Sequence, residues 1–225
     1  MEPKGARGAE SGPIRVVIVD DHPLVRHGLG HLIAAEEDME VVGDASGSTD
    51  ALRLVREQKP NCVVIDLSLQ EGTGIELIKQ IKALDKNIRM LVFSMHDEVL
   101  FAERVLRAGA MGYVNKQVST EKVVDGIRHI MKGKIFLSEE MSERLLIGMT
   151  GREVVGETPV DNLSNRELEI FQLIGQGLST RKIAEQLHLS SKTVESHRES
   201  IKKKLNLSSN LEMIRLAVQF VLEQG

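Results

Sequence analysis

From Ile14 onward, short apolar runs rich in β-branched residues alternate with segments whose apolar residues recur every three to four positions. The runs Ile14–Val19, Val41–Ala45, Cys62–Ile65, Met90–Phe93 and Gly112–Val114 predict strands. Helices are expected between them near 23–35, 49–58, 74–84, 98–108 and 120–132, on spacings such as Leu77, Ile78, Ile81, Leu84 and Val123, Ile127, Ile130. Strands that are apolar on both faces need cover on both sides. The alternation therefore predicts an α/β unit of five βα repeats around a doubly wound parallel sheet.

Past residue 133 the pattern changes. Residues 134–159, with several glycines and Pro159, read as a linker carrying a short helix around Glu139–Ile147. Residues 160–225 contain no strand signal. Ser164 and Glu167 form a capping box that opens a helix ending near Gly175, with Gly177 as the stop. Further helices are expected at about 180–187, 191–205 and 210–223, the last opened by a second capping box, Ser209 with Glu212. The expected organisation is a tail at 1–13, disordered by its Gly, Glu, Ala and Pro content, an α/β domain at 14–133, the linker, and a smaller all-α four-helix domain at 160–225.

Composition narrows the class. Hydrophobic residues make up 41% and charged residues 28% of the 225-residue chain, which excludes fibrous and wholly disordered proteins. The lone cysteine, Cys62, allows no intrachain disulfide and no cysteine zinc cluster; it reads as a small core residue, and a reducing cytosol fits. No apolar run approaches the roughly 18 residues of a membrane helix, and MEPKGARGAESGP lacks the apolar stretch of a signal peptide. A cytoplasmic protein with no membrane partner is expected.

Charge is divided along the chain. Residues 1–160 carry 20 Lys+Arg against 25 Asp+Glu, whereas 179–206 carry 7 against 3. This basic stretch is either a polyanion-binding face or an ordinary solvated helix surface.

In a doubly wound sheet, sites form outside the carboxyl ends of the strands. Those ends carry Asp20 and Asp21 after the first strand, Asp66 after the third, Ser94 after the fourth and Lys116 just past the fifth. Singly, such an Asp serves as a helix cap and such a Lys as a surface charge. Together on one edge, three carboxylates repel one another, and the remedies are a raised pKa or a bound cation. Hard oxygen ligands with an open position favour Mg²⁺. Lys116 and Ser94 could then each hold an oxygen of a phosphoryl group transferred to Asp66, the central carboxylate.

The stretches IVDDHPLVRHGL, VVIDLSLQEGTGIEL, LVFSMHDE and AGAMGYVNK resemble a receiver domain of a two-component response regulator, with its flavodoxin-like fold, over about residues 14–133. The resemblance implies Asp66 as phospho-acceptor, and Asp20, Asp21, Asp66 and the Ser68 backbone carbonyl as Mg²⁺ ligands. It implies Lys116 on a phosphoryl oxygen, and Ser94 with Tyr113 as a switch pair whose ring rotates inward on phosphorylation. From sequence alone, Tyr113 is equally an ordinary half-buried ring. The chain departs from the pattern at Gln70 and Thr73, where such receivers have Pro and Asp, and at Asn115, which replaces an apolar residue.

In the C-terminal third, the segment from Ser191 to Leu205 places Val194, Ile201 and Leu205 on one narrow stripe and spreads Lys192, Arg198, Lys202 and Lys203 over the rest. That is the geometry of a recognition helix in the DNA major groove, and equally of a lysine-rich solvated helix. The segment LSNRELEIFQLIGQGLSTRKIAEQLHLSSKTVESHRESIKKKLNL is similar to a LuxR-type helix-turn-helix, and the whole chain then resembles the NarL/FixJ response regulators. By that resemblance Lys192, Thr193, Ser196, His197, Arg198 and Lys202 lie on or near the DNA-facing side, and Thr180, Arg181 and Lys182 at the phosphate backbone. Glu195 either accepts from a cytosine amine or folds back onto Arg198, and His197 is either a base contact or a neutral packing residue. Leu211, Ile214, Val218 and Val221 form a stripe for core packing or, by the resemblance, dimerisation.

The function implied is a DNA-binding transcriptional regulator rather than an enzyme. Its expected partners are a sensor histidine kinase, double-stranded DNA, a second copy of the chain and RNA polymerase. Two rival functions share these residues. One is a phosphotransferase turning over through the same aspartyl phosphate, against which Ser68, rather than an acid, stands two residues after Asp66. The other is a helix-turn-helix regulator controlled by a ligand or partner without phosphorylation.

Overall fold

The structure, a computed structural model, describes residues 12–69, 71–117, 120–149 and 159–224. The tail expected at 1–13 therefore lies, except for Gly12 and Pro13, outside the described residues, as does Gln70. The N-terminal part runs β1 (Ile14–Val19), α1 (Pro23–Ala34), β2 (Met39–Ala45), α2 (Ser48–Gln58), β3 (Cys62–Ile65), α3 (Gly74–Leu84), β4 (Arg89–Ser94), α4 (Glu98–Ala108), β5 (Gly112–Asn115) and α5 (Glu121–Met131). The five strands are all parallel in the order β2-β1-β3-β4-β5, the doubly wound arrangement expected.

Strand periodicity sorts the core into two layers. Val17, Val19, Val63, Ile65, Met90 and Val92 pack with the inner faces of α2 to α4, through residues such as Val55, Ile78, Ile81 and Phe101. Val16, Ile18, Cys62, Val64, Leu91 and Phe93 pack with Leu29 and Ile33 of α1 and Val123, Ile127 and Ile130 of α5. Cys62 is a core residue as expected, and burial pushes its thiol up to about 12.

Register places the strand ends together. Val19 pairs with Ala45 and Ile65, Ile65 with Val92, and Ser94 with Asn115, so the residues that follow emerge along one edge. There α3 starts almost against the backbone it follows: a Cβ on Gly74 would lie 2.3 Å from the Asp66 carbonyl oxygen. Only glycine lets α3 begin so close to the central carboxylate. Thr73, one of the departures, caps α3 by accepting the Glu76 N–H at 3.2 Å.

The segment read as a linker contains α6 (Glu139–Met149), and Ser138 N–H just before it donates to Glu98 Oε1 of α4 at 2.9 Å. A short 3-10 turn, Pro159–Asn162, then leads into α7 (Asn165–Gly175), α8 (Thr180–Gln186), α9 (Ser191–Lys204) and α10 (Asn210–Gln224). The Ser164–Glu167 capping box is complete. The second box is only half formed: Ser209 Oγ accepts the Glu212 N–H at 3.1 Å, but the Glu212 carboxylate takes Ser208 N–H and Oγ instead. The carboxylate thereby gains two donors in one residue, which a single N-cap amide cannot offer. Helices α7 and α10 cross so closely that a Cβ on Gly175 would lie 2.3 Å from the Ala217 carbonyl oxygen.

Candidate functional site: an acidic pocket and a helix-turn-helix

Asp20, Asp21 and Asp66 are buried at the carboxyl edge, with exposures of 1%, 7% and 4%. Lys116, reaching across from the end of β5, puts Nζ 2.6 Å from Asp20 Oδ2 and 2.7 Å from Asp66 Oδ2. Ser94 is fully buried at the same edge. The five residues read from the sequence are thus brought together, although the chain separates them by up to 96 positions.

Charge is tightly constrained here. Burial, with the Asp20 charge adding to it, raises the Asp66 carboxyl above the usual carboxylate range against the pull of Lys116. Burial works against the Lys116 ammonium, but the two carboxylates outweigh it and its pKa is raised. One ammonium therefore serves two carboxylates and leaves the third without it. Lys116→Ala is expected to lower the unfolding free energy by about 2 kcal/mol at neutral pH, since it leaves buried carboxylates unpaired and protonation of Asp66 relieves only part of the cost. Urea denaturation with and without Mg²⁺ checks this; the loss should shrink with the ion present.

The remaining carboxylate suits a cation. One ligand atom from each of Asp20, Asp21, His22 and Asp66 falls within 4.8 Å of the others. Asp21 Oδ1 is buried and has no hydrogen-bond partner among the described residues; His22 Nδ1 lies 2.5 Å away but out of hydrogen-bond alignment. An orphaned, buried anionic oxygen inside a set of hard oxygen donors is what a divalent cation fits. The sequence reading did not include His22, whose ring reaches the pocket rim from the residue after the acidic pair.

Tyr113 is 1% exposed, and its hydroxyl donates to the His96 carbonyl at 2.8 Å. Burial raises its pKa well above the ordinary phenol value. The ring is already inside, so the rotation that the resemblance implies has its inward end state in this structure. His96 N–H faces Ser94 Oγ at 3.4 Å. The departure at Asn115 acquires a reason: its Nδ2 donates to the same His96 carbonyl at 3.3 Å, and its Oδ1 accepts the Gln117 N–H at 2.8 Å. An apolar residue there would forfeit both bonds.

In the C-terminal domain Ser179 caps α8, and Ser190 caps α9 by accepting the Thr193 N–H at 3.0 Å. Val194 and Ile201 are buried beneath α9. The exposed positions of α9 that recur at helical spacing are Lys192, Glu195, Ser196, Glu199 and Lys203. Lys182, Lys192 and Lys203 are exposed, and no ion pair involves them among the described residues.

Other expected DNA contacts have partners within the chain. The Arg198 side chain is only 11% exposed, lies 3.7 Å from Glu195 and donates to Thr180 Oγ1 at 3.4 Å, while Thr180 donates to Glu195 at 2.7 Å. Glu195 thus takes the folded-back alternative. The Lys202 side chain is 17% exposed and pairs with Glu199 at 2.8 Å. Arg181 pairs with Glu185 at 3.0 Å, Thr193 Oγ1 meets the Ser190 cap at 2.8 Å, and Ser196 donates to the Lys192 carbonyl at 3.1 Å. His197 is half-buried, and burial followed by the Arg166 charge lowers its pKa, which favours the neutral packing role. Lys203, absent from the DNA-facing set read from the sequence, is eleven positions beyond Lys192 on the same face, a spacing visible in the sequence itself.

A doubly wound domain with this acid-and-lysine edge, followed by a capped helix-turn-helix, defines a receiver coupled to a DNA-binding output, the class of transcriptional response regulators. Residues 16–128 match the response regulator receiver domain, and residues 161–217 match the bacterial regulatory proteins of the luxR family. The chain is 34% identical to response regulator GacA of Pseudomonas aeruginosa over 206 residues, 92% of this chain and 96% of that protein. It is 32% identical to response regulator UvrY of Escherichia coli K12, over 92% of this chain and 94% of that one. Among solved structures it resembles RcsB from Salmonella enterica serovar Typhimurium bound to a promoter in the presence of the phosphomimetic BeF3-, with 26% identity, a TM-score of 0.62, and coverage of 92% and 98%. The chain belongs to the NarL/FixJ family of two-component response regulators, which are phosphorylation-controlled transcription regulators.

Proposed function

We propose that this regulator is switched at Asp66. An Asp66 carboxylate oxygen attacks phosphorus on a sensor kinase's phosphohistidine; the P–N bond breaks, the imidazole leaves and takes a proton, and an acyl phosphate remains. The observation that carries this reading is the single Lys116 ammonium at 2.7 Å from Asp66 and 2.6 Å from Asp20. It stands ready to pair with a phosphoryl oxygen at the acceptor. Asp20, Asp21, Asp66 and the Ser68 backbone carbonyl would hold one Mg²⁺, which supplies charge neutralisation for the transferring group when bound. Ser94 would donate to a phosphoryl oxygen, with Tyr113 fixing the loop after it through the His96 carbonyl.

On DNA, Lys182, Lys192 and Lys203 supply free cations, and the N-terminal turn of α9 its N–H groups and dipole. Leu211, Ile214, Val218 and Leu222 are exposed along α10, an apolar stripe suited to a second copy of the chain, so that two recognition helices address two half-sites. The domain division at 14–133, 134–159 and 160–225, contact with RNA polymerase, a cytoplasmic location and the lack of turnover belong to the same reading. Among the described residues no helix is long and apolar enough to cross a membrane.

DNA binding and sedimentation, each with and without a small phosphodonor, test the proposal. The donor should shift the chain toward dimer and strengthen DNA binding about tenfold or more, a coupling within the usual range for linked sites. DNA affinity indifferent to the donor but responsive to a small ligand would replace phosphorylation with ligand control.

A further inference from the structure

Helix α1 turns a pair of histidines away from the core. Its inner side is fixed: Leu29 and Ile33 are buried, and Arg26 beside them donates from Nη1 to the Asp20 carbonyl and from Nε to Asp44 Oδ2, each at 2.7 Å. His27 and His31 lie one turn apart on the opposite side, and both are exposed. Gly28 and Gly30 flank the pair, and at each of them a Cβ would meet nothing within 4 Å. Nδ1 of His27 lies 2.8 Å from the Pro23 carbonyl oxygen. A carbonyl only accepts, so Nδ1 carries the proton, and in the neutral ring the lone pair is on Nε2. The His31 ring makes no hydrogen bond or ion pair among the described residues, so its nitrogens are not engaged within the chain.

Two imidazoles four residues apart on one helix face can chelate a metal ion. Side chains at that spacing have Cβ atoms about 5–6 Å apart, close enough for both rings to reach one ion. The bond from Nδ1 to a backbone carbonyl is also how ligating histidines are oriented, with the other nitrogen left for the metal. We propose that His27 and His31 bind one late first-row divalent ion, Ni²⁺, Cu²⁺ or Zn²⁺, through Nε2 of His27 and a ring nitrogen of His31, with water in the remaining positions. Ligand chemistry separates this site from the acidic pocket. Imidazole nitrogen suits these ions, whereas Mg²⁺ takes oxygen and belongs with Asp20, Asp21 and Asp66. An ordinary solvated face is the alternative for two exposed histidines, and the glycines speak against it. Glycine inside a helix weakens it, and a solvated face gains nothing from two of them. Here they clear both flanks of the pair, and an ion that ties residue 27 to residue 31 stabilises the turn they weaken. The site lies on the helix that leads out of the acidic pair, but it does not rest on the switching of Asp66.

The test uses the full chain with Ni²⁺ as the probe, titrated by calorimetry in excess Mg²⁺ so that the hard-oxygen pocket is already supplied. His27→Ala and His31→Ala are each expected to weaken Ni²⁺ binding about tenfold or more, since losing a ligand costs at least as much as losing a group that orients one, about 10- to 100-fold. Both positions are exposed and alanine is the better helix former, so lost affinity in these variants is not lost helix. His22→Ala is the control: its ring stands 2.5 Å from Asp21 at the acidic pocket, and Ni²⁺ affinity should be unchanged without it. Ni²⁺ should also raise the thermal midpoint of wild type and leave that of His31→Ala where it was. No Ni²⁺ binding by wild type, equal affinity in wild type and both variants, a loss in only one of the two, a loss in His22→Ala, or a wild-type midpoint that Ni²⁺ does not raise overturns the site.

Discussion

Asp66→Asn is expected to abolish Mg²⁺-dependent labelling of the chain by a small phosphodonor while leaving it folded. The amide oxygen carries no full negative charge and cannot form an acyl phosphate, so no residual labelling is expected at this position. Asp20 and Asp21 are the other carboxylates at the edge, but Asp20 Oδ1 accepts the His22 N–H at 2.8 Å and its Oδ2 holds Lys116. Asp21 in turn meets His22 and His188. The fold itself raises the Asp66 pKa through burial, so removing that charge relieves repulsion with Asp20, and Lys116 keeps one carboxylate. The variant's thermal midpoint should therefore equal or exceed that of wild type, which separates lost chemistry from lost structure. Intact-mass measurement after donor treatment decides; a persisting phosphoryl increment in the folded variant would falsify the assignment of Asp66.

The second large effect lies in the DNA-binding domain. Glu167→Ala is expected to lower the stability of that domain by about 3 kcal/mol at neutral pH. One buried carboxylate there closes the start of α7 and ties it to α9: it accepts Ser164 N–H at 2.7 Å, and Ser200 Oγ at 2.5 Å and Lys204 Nζ at 2.6 Å from α9. Burial alone would raise its pKa, but Lys204, Ser200 and the Ser164 bonds outweigh it and bring it from 4.5 down to about 2. Since a pH unit corresponds to about 1.36 kcal/mol, that depression agrees with the ~3 kcal/mol expected from the lost bonds. The sign follows from a folded pKa below the unfolded one: the stabilisation is complete above about pH 4.5 and is lost as pH falls from there toward 2. Hydrogen exchange of α7 and α9 amides should show protection reduced by two decades or so in Glu167→Ala at neutral pH. The gap between variant and wild type should close in acid; a gap independent of pH would remove the carboxylate from the account.

Much of this was legible beforehand for a specific reason. Strand and helix periods depend on local chain geometry, so the five strands appeared at their places, with β1 and β3 starting and ending where the apolar runs do. Because parallel strands in a doubly wound sheet must all present their carboxyl ends on one edge, Asp20, Asp21, Asp66, Ser94 and Lys116 could be placed together from their positions after the strands. Capping was legible in full at Ser164 and by half at Ser209, whose hydroxyl accepts the Glu212 N–H while Ser208 takes the Glu212 carboxylate.

The recognition helix shows where the periodic reading stops. Lysines and arginines that a helical wheel assigns to the outside can turn inward when partners are offered, as Thr180 of the neighbouring α8 and Glu195 of α9 itself do for Arg198. Long side chains bury their stems readily, so outward position does not fix outward charge. His96 and Glu169 lie 73 positions apart, and His188 and Asp21 lie 167 apart; local pattern contains no term for such pairs.

The amino-acid sequence by itself therefore determined the two domains, the order of their elements and the five groups at the sheet edge, since each follows from a short-range period or from the rule that strand ends align. Tertiary structure alone decided which cations of α9 remain free, that Tyr113 already points inward, and that the DNA-binding domain rests on the acidic mouth. Those outcomes depend on which distant surfaces meet, and that is settled by packing and by competition among buried polar groups for a limited number of partners.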